Sequence, residues 1–186
     1  MSDMKRRVVL KGAALGALAY TVGGVELLLT PRQARAQNVP IKVLTPNEVA
    51  TFEALGDVLV PGAKAAGVAY YVDHQLDVDP EDALLLARSV NIAPPYVNFY
   101  RAALAGVDNA SVAMYGAKFA ALPEDKQSQF VDQMRQKNPQ GWSGPGSPFF
   151  YYVARNDAID VYYGTVEGFE RLGVPYMPHI LPVKKW

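Results

Sequence analysis

The sequence predicts an all-α protein, a small irregular domain of about six or seven helices with an extended C-terminal tail. Three observations favour this fold class. Proline-led helix starts recur along the chain, apolar residues between them follow helical spacing, and glycine and proline become frequent after Gly164. A leader at residues 1–36 precedes the domain, which covers residues 37–186 and ends in a tail at residues 164–186.

The leader has the layout of a twin-arginine signal peptide. Arg6 and Arg7 lie in a basic head, and Leu10 and Lys11 follow at the spacing typical of this motif. An apolar, glycine-rich stretch comes next. We therefore expect a chain that leaves the cytoplasm already folded, through the twin-arginine translocon, and that can carry a bound partner with it.

The end of the leader carries a small-x-small pattern, Ala34 and Ala36, at which a signal peptidase would cut. Cleavage there gives a protein that begins at Gln37. An uncleaved membrane anchor is the other interpretation, because a bilayer needs about 20 apolar residues and residues 8–29 are long enough. Two charged residues and several glycines in that stretch make spanning the less favoured interpretation.

Charge and cysteine content exclude several classes of function. The chain has 18 basic and 18 acidic residues, but residues 37–186 have 12 basic and 16 acidic ones. That part has no basic run longer than two residues, so nucleic-acid binding is not expected. The absence of cysteine excludes thiolate ligands for zinc or iron–sulfur clusters and cysteine nucleophiles. The two histidines, His74 and His179, are interpreted as packing or interface residues.

Three helices are predicted in the first half of the domain. Thr45 and Glu48, with a proline between them, form a capping box that starts the first helix, which should end near Val60. Helical spacing of apolar residues predicts the second helix over residues 68–76. An aspartate-proline pair at residues 79–80 repeats the start signal and predicts a third helix that continues to about residue 90.

Further helices are predicted in the second half. A fourth should begin at the proline pair at residues 94–95 and end before Gly106, and residues 111–121 should form a separate helix. Pro123 starts the clearest amphipathic helix of the chain. After a glycine- and proline-rich loop at residues 138–146, Ser147 and Pro148 should cap an aromatic-rich helix that runs from Phe149 to about Tyr163.

The aromatic-rich helix and the tail favour a binding role. Four consecutive aromatic residues, 149–152, cannot all face one side of a helix, because successive side chains project about 100° apart. Some should contact another protein, and tyrosine suits interfaces, although packing in the chain's own core has equal weight for any single residue. The irregular apolar tail should dock into a groove of a partner or, alternatively, wrap around its own helices. The predicted partner interface comprises Tyr151, Tyr152, Tyr162, Tyr163, Phe169, Tyr176, Met177 and His179.

The tail also carries a family resemblance. Residues 160–179 read DVYYGTVEGFERLGVPYMPH, and LTPNEV at residues 44–49, LGDVLVPG at residues 55–62 and VDHQL at residues 72–76 agree with it. These segments resemble the gluconate 2-dehydrogenase subunit 3 family. Its members are the small, or gamma, subunits of membrane-associated FAD-dependent sugar dehydrogenases, and the tail here is closest to the glucose, sorbitol or fructose dehydrogenase type.

The resemblance implies a non-catalytic subunit of an oxidoreductase complex. In such complexes the large subunit binds FAD, with an iron–sulfur cluster also expected there, and oxidises the sugar. A multihaem cytochrome c subunit passes the electrons to the membrane. The small subunit accompanies the large one through twin-arginine export and stabilises it. The resemblance thus implies no cofactor in this chain, and a location in the periplasm, associated with the inner membrane through the complex.

An independent periplasmic enzyme is the competing hypothesis. Asp157 and Asp160 are three residues apart on the predicted aromatic-rich helix, so they share a face and could act as an acid/base pair with His74. A structural role, in which the aspartates pair with Arg155, Arg171 or an arginine of a partner, is favoured over catalysis. The sequence contains no dinucleotide-binding glycine motif, phosphate loop or serine-hydrolase elbow.

Overall fold

The computed structural model describes residues 17–175, which form nine helices and one two-stranded antiparallel sheet. The all-α prediction is confirmed for the helical domain and is corrected by the short sheet before it. In chain order the elements are β1 (Leu18–Val22), β2 (Val25–Leu29), α1 (Pro31–Ala36), α2 (Pro46–Leu59), α3 (Ala63–Ala66), α4 (Val68–Asp77), α5 (Leu86–Ser89), α6 (Tyr96–Tyr115), a 3-10 turn (Phe119–Ala121), α7 (Glu124–Gln136), α8 (Ser147–Tyr163) and α9 (Val166–Arg171).

The predicted helix starts are confirmed where a local cap determines them. At the start of α2, the backbone N–H of Glu48 donates to the Thr45 hydroxyl (3.3 Å), and that of Thr45 donates to the Glu48 carboxylate (2.7 Å). This capping box satisfies two amide groups that the first turn leaves unpaired. Helices α4, α7 and α8 also lie where they were predicted, except that Gly146 precedes α8 and Ser147 is its first residue.

The predicted third helix is wrong over most of its length. Asp79 forms an isolated turn, because its side chain accepts the N–H of Glu81 (2.9 Å) and its carbonyl accepts that of Asp82 (2.8 Å). The side chain of Gln75 then accepts the N–H of Leu84 (2.7 Å), and Leu85 has an extended backbone. A contact from the preceding helix, α4, thus holds the chain out of the helical conformation until α5 begins.

Helix α6 is longer than predicted, since it includes Gly106 and ends at Tyr115 in place of two separate segments. The predicted break at Gly106 is wrong because this glycine permits close packing. A Cβ atom there would collide with the carbonyl oxygen of Ser143, in the loop between α7 and α8. The glycine that ends the helix is Gly116, which has a positive φ of 77°.

The predicted extended tail is also corrected in its first part, because α9 forms there. The Thr165 hydroxyl accepts the N–H of Gly168 (3.1 Å), so a side-chain cap starts this short helix. The end of the tail, from residue 176, lies outside the described residues.

Residues that the sequence assigned to the leader form a small unit against the helical domain. Gly23 and Gly24 have φ of 57° and 81° and connect β1 to β2 in a tight two-residue hairpin. A minor apolar cluster joins the hairpin and α1 to the domain. Its buried members are Tyr20, Leu29, Ala34 and Val39, with Leu18, Val22 and Tyr70 packed against them.

The main core lies between α2, α4, α6, α7 and α8, and aromatic rings fill much of it. Phe52, Tyr100, Phe119, Phe130 and Phe150 are fully buried. Helix α8 contributes to this core along most of its length, so one face of it is fixed in position. Between residues 17 and 175, no helix combines the length and apolar character needed to cross a membrane.

Candidate partner-binding surface

Helix α8 begins at a point that the preceding helix fixes. The Ser147 hydroxyl donates to the carbonyl of Met134 at the end of α7 (3.0 Å), and the Ser147 N–H donates to the Asn138 side chain (2.7 Å). These contacts hold the first turn of α8 against the end of α7 and the loop that follows it. The side chains that project from this turn therefore have a rigid support.

The four consecutive aromatic residues of α8 divide between the core and the surface. Phe150 is fully buried and Tyr151 is half-buried against the main core, whereas Phe149 and Tyr152 expose 39% and 48% of their surface. Phe149 and Tyr152 are three residues apart and thus lie on one side of the helix. Phe99 of α6 contacts the ring of Phe149 edge to face, with the ring centroids 5.8 Å apart. We call Phe149 and Tyr152 the aromatic patch.

The second tyrosine pair of α8, Tyr162 and Tyr163, is half-buried and has contacts within the chain. The two rings meet edge to face at 4.8 Å, and the Arg171 guanidinium lies 4.7 Å from the centre of the Tyr162 ring. The Tyr162 ring also approaches Gly62 so closely that a Cβ atom there would lie 2.6 Å from it. Much of the surface predicted for a partner at this end of α8 is therefore used internally.

The remaining predicted interface residues have different positions. Phe169 is half-buried on α9, and the next exposed apolar side chains are Leu172 and Val174. Tyr176, Met177 and His179 lie outside the described residues, as do Arg6, Arg7, Leu10 and Lys11 of the export signal. Of the predicted cleavage residues, Ala34 is buried in α1 and Ala36 is exposed at its end.

A groove separates the N-terminal unit from the C-terminal end of α8. It consists of two adjoining pockets of about 390 and 430 Å³ that share Ala17, Pro31, Val161 and Thr165 in their walls. An ion pair between Arg32 of α1 and Glu167 of α9 (3.4 Å) links the two sides. The groove thus lies beside the internal tyrosine pair, at the opposite end of α8 from the aromatic patch.

A model of the family described as gluconate 2-dehydrogenase subunit 3 matches residues 46–180, well over half of the chain. The chain belongs to this family. The resemblance seen in the sequence is thereby confirmed. No match was found among curated proteins or among solved structures.

The match to the gluconate 2-dehydrogenase subunit 3 family begins at the first residue of α2 and includes the aromatic patch and α9. The hairpin and α1 lie before the matched region. The family is that of a subunit of a dehydrogenase complex, which agrees with a surface that binds another protein.

The three residues of the competing enzyme hypothesis are held by separate contacts. The Asp157 carboxylate is fully buried and accepts a hydrogen bond from the Tyr100 hydroxyl (2.6 Å), and Asp160 lies at the surface and lines the groove. One ring nitrogen of His74, Nε2, lies 3.0 Å from the carbonyl oxygen of Ala19, a contact to β1. Of the three, only Asp160 lines the groove.

Burial shifts the pKa of all three residues, and it raises that of Asp160. Burial raises the pKa of Asp157 to about 7, and the hydrogen bonds from Tyr100 and the backbone of Leu86 offset only part of that effect. The other carboxylate oxygen of Asp157 is buried with no partner among the described residues. Burial lowers the pKa of His74. Asp157 was predicted to pair with an arginine, but its hydrogen-bond partner is Tyr100. Arg171, one of the predicted arginines, lies over the Tyr162 ring and pairs with Glu167 (3.7 Å).

Metal binding has no candidate in the part of the chain that the structure describes. Between residues 17 and 175, no three histidine, aspartate or glutamate side chains come close enough together to hold an ion.

Phe149, Leu172 and Val174 are exposed apolar residues outside the eight predicted interface residues, although Leu172 and Val174 belong to the tail that was expected to dock into a partner. Phe149 follows a proline at the start of α8, and the three-residue spacing to Tyr152 could have joined it to the predicted set.

Proposed function

We propose that this chain is the non-catalytic small subunit of a periplasmic FAD-dependent sugar or polyol dehydrogenase complex. It binds the catalytic flavoprotein, accompanies it through twin-arginine export and stabilises it. Membership of the gluconate 2-dehydrogenase subunit 3 family is the observation that carries this proposal. The FAD and an iron–sulfur cluster belong to the flavoprotein, and a multihaem cytochrome c subunit receives the electrons at the inner membrane.

The aromatic patch supports a binding role for this subunit. Phe149 and Tyr152 are exposed rings on a helix whose inner face is fixed in the core. Rigid aromatic side chains lose little conformational entropy on binding, and they are enriched at protein interfaces. We assign the patch, together with Leu172 and Val174 after α9, to the surface that contacts the flavoprotein.

The export part of the proposal rests on Arg6 and Arg7. Its test is the double variant Arg6→Lys/Arg7→Lys, produced together with the flavoprotein of the complex. We expect both proteins, and the sugar-oxidising activity, to remain in the cytoplasmic fraction. An Arg171→Lys variant, outside the leader, is the control and should leave both proteins in the periplasm. Flavoprotein activity in the periplasm of the double variant would refute the export role.

The non-catalytic part is tested on the purified chain. It should show no oxidation of sugars with an artificial electron acceptor, and activity should appear only when the flavoprotein is added. Turnover by the chain alone would favour the enzyme hypothesis, and loss of that turnover in Asp160→Asn would locate it at the groove.

A further inference from the structure

The segment that contains the predicted cleavage site is folded onto the helical domain. Thr30 and Gln33 form a capping box at the start of α1, in which the N–H of Gln33 donates to the Thr30 hydroxyl (3.2 Å) and the Thr30 N–H to the Gln33 side chain (2.9 Å). Residues 34–36 form the last turn of this helix. A helical junction is a poor substrate, because proteases need a locally unfolded chain.

The junction is buried as well as helical. Ala34 has 0% of its surface exposed and lies in the minor apolar cluster with Tyr20, Leu29 and Val39. Its carbonyl oxygen accepts the N–H of Val39 (3.0 Å), so the chain on both sides of Ala36 is held in place. A signal peptidase that recognises small side chains at Ala34 and Ala36 must first remove Ala34 from this site.

The helical domain provides matched contacts for the segment. The Arg35 guanidinium donates two hydrogen bonds to the Glu53 carboxylate of α2, at 2.7 and 3.4 Å, and Lys64 lies 3.7 Å from the same carboxylate. The Tyr20 hydroxyl donates to the carbonyl of Tyr70 of α4 (3.2 Å). These contacts join both the hairpin and α1 to helices within the family-matched region.

The backbone of Gly67 also packs closely against the start of α1. Gly67, between α3 and α4, has a φ of 88°, and a Cβ atom there would collide with the carbonyl of Pro31 at the start of α1. The position therefore requires glycine for two reasons, its left-handed backbone and the proximity of α1. No side chain can be added at residue 67 without displacing α1.

From these contacts we propose that residues 17–36 remain docked on the folded domain and mask the junction after Ala36 from signal peptidase. The exported subunit then keeps its N-terminal segment as part of its structure. The inference rests on the export role under Proposed function, because only an exported chain meets this protease. Removal of residues 1–36 would uncover Tyr70 and Val39 and would take from Glu53 its hydrogen-bonded partner Arg35.

Digestion of the full-length folded chain with purified signal peptidase tests the masking, with loss of residues 1–36 followed by intact mass. A synthetic peptide of residues 20–45 shows the rate for the unmasked sequence. We expect the folded chain to be cut at least about tenfold more slowly than the peptide, because cleavage must await local unfolding. An equal rate for the two, or a peptide that is not cut after Ala36, would overturn the proposal.

Gly67→Ala should raise the cleavage rate of the folded chain toward that of the peptide. Gly116→Ala is the matched control, because its φ is 77° and a Cβ there has no neighbour within 4 Å. Circular dichroism should be used to check that both variants are folded.

If Gly67→Ala does not fold, Glu53→Gln replaces it, since it removes the partner of Arg35 without altering the cleaved sequence. A rise of about two- to fivefold is expected from the loss of that part-buried ion pair. Unchanged cleavage of whichever variant folds would overturn the masking.

This digestion requires no flavoprotein and no export. Its failure is therefore distinguishable from failure of the proposed function, which is measured by fractionation of the partner.

Discussion

The two ends of α8 each carry a tyrosine pair, and the surroundings of the two pairs differ. At the N-terminal end Tyr152 exposes 48% of its surface, on the same side of the helix as Phe149. At the C-terminal end Tyr162 packs against Gly62, Tyr163 and the guanidinium of Arg171. Both ends carry tyrosines, so it is the contacts from other parts of the chain that decide which end exposes its rings.

The largest expected effect concerns Asp157, on the inner face between these two ends. Because its pKa is raised from 3.8 to about 7, the folded protein holds a proton over that pH range that the unfolded chain releases. Folded stability should therefore fall as the pH rises from about 4 to 7. At one pKa unit per about 1.4 kcal/mol, the stability lost between pH 5 and 7.5 is about 2 to 3 kcal/mol.

Urea unfolding of wild type and Asp157→Asn at pH 5 and 7.5 measures this contribution. Because asparagine cannot titrate, the free energy of unfolding of the variant should fall by about 2 to 3 kcal/mol less than that of wild type between pH 5 and 7.5. Asp132→Asn on α7 controls for the change in net charge. Equal pH dependence in wild type and Asp157→Asn would show that Asp157 is not a buried titrating group.

A matched pair of substitutions tests the comparison directly, namely Tyr162→Ala and Tyr152→Ala. We expect Tyr162→Ala to lower the free energy of unfolding by about 2 kcal/mol, since its ring packs within the chain. Tyr152→Ala should lower it by less than about 0.5 kcal/mol because the ring is largely in solvent. Denaturant unfolding measures both values. Equal losses of stability would contradict the difference between the two ends.

A smaller effect should appear at the contact between Gly62 and Tyr162. Gly62→Ala adds a Cβ 2.6 Å from the Tyr162 ring and strains a backbone with φ of 95°. In the Tyr162→Ala background the steric part should disappear, so the two substitutions should couple by about 1 kcal/mol. The remaining cost should equal that of Gly116→Ala, where no neighbour is close. If the two losses of stability were additive, the Tyr162 ring would not be in close contact with position 62.

Local signals predicted the parts of the fold that local contacts determine. The capping box at Thr45 and the proline-led starts of α7 and α8 place helices correctly because the cap needs only nearby residues. The helix start predicted at Asp79 was wrong, because the side chain of Gln75 on α4 accepts the N–H of Leu84 and keeps that segment out of a helix. The break predicted at Gly106 was also wrong, because this glycine makes room for the loop at Ser143, which lies far from it in sequence.

The exposure of the aromatic residues was predicted in the same partial way. The argument that four consecutive aromatic residues must divide between core and surface holds for residues 149–152. It could not assign Tyr162 to an internal contact, because Gly62 lies 100 residues earlier in the chain. The hairpin was missed for another reason. The same apolar run fits both the middle of a leader and the strands β1 and β2, and it was interpreted as a leader.

Binding of the flavoprotein to this subunit is the most direct test of the central claim, that the aromatic patch contacts the catalytic partner. The Kd should be measured for wild type, for Phe149→Ser/Tyr152→Ser and for Val112→Ser, which replaces an exposed apolar residue on α6. Loss of two aromatic anchors should weaken binding at least about 30-fold, and the control should stay within about twofold. An unchanged Kd for the double variant, with the fold intact, would contradict the account.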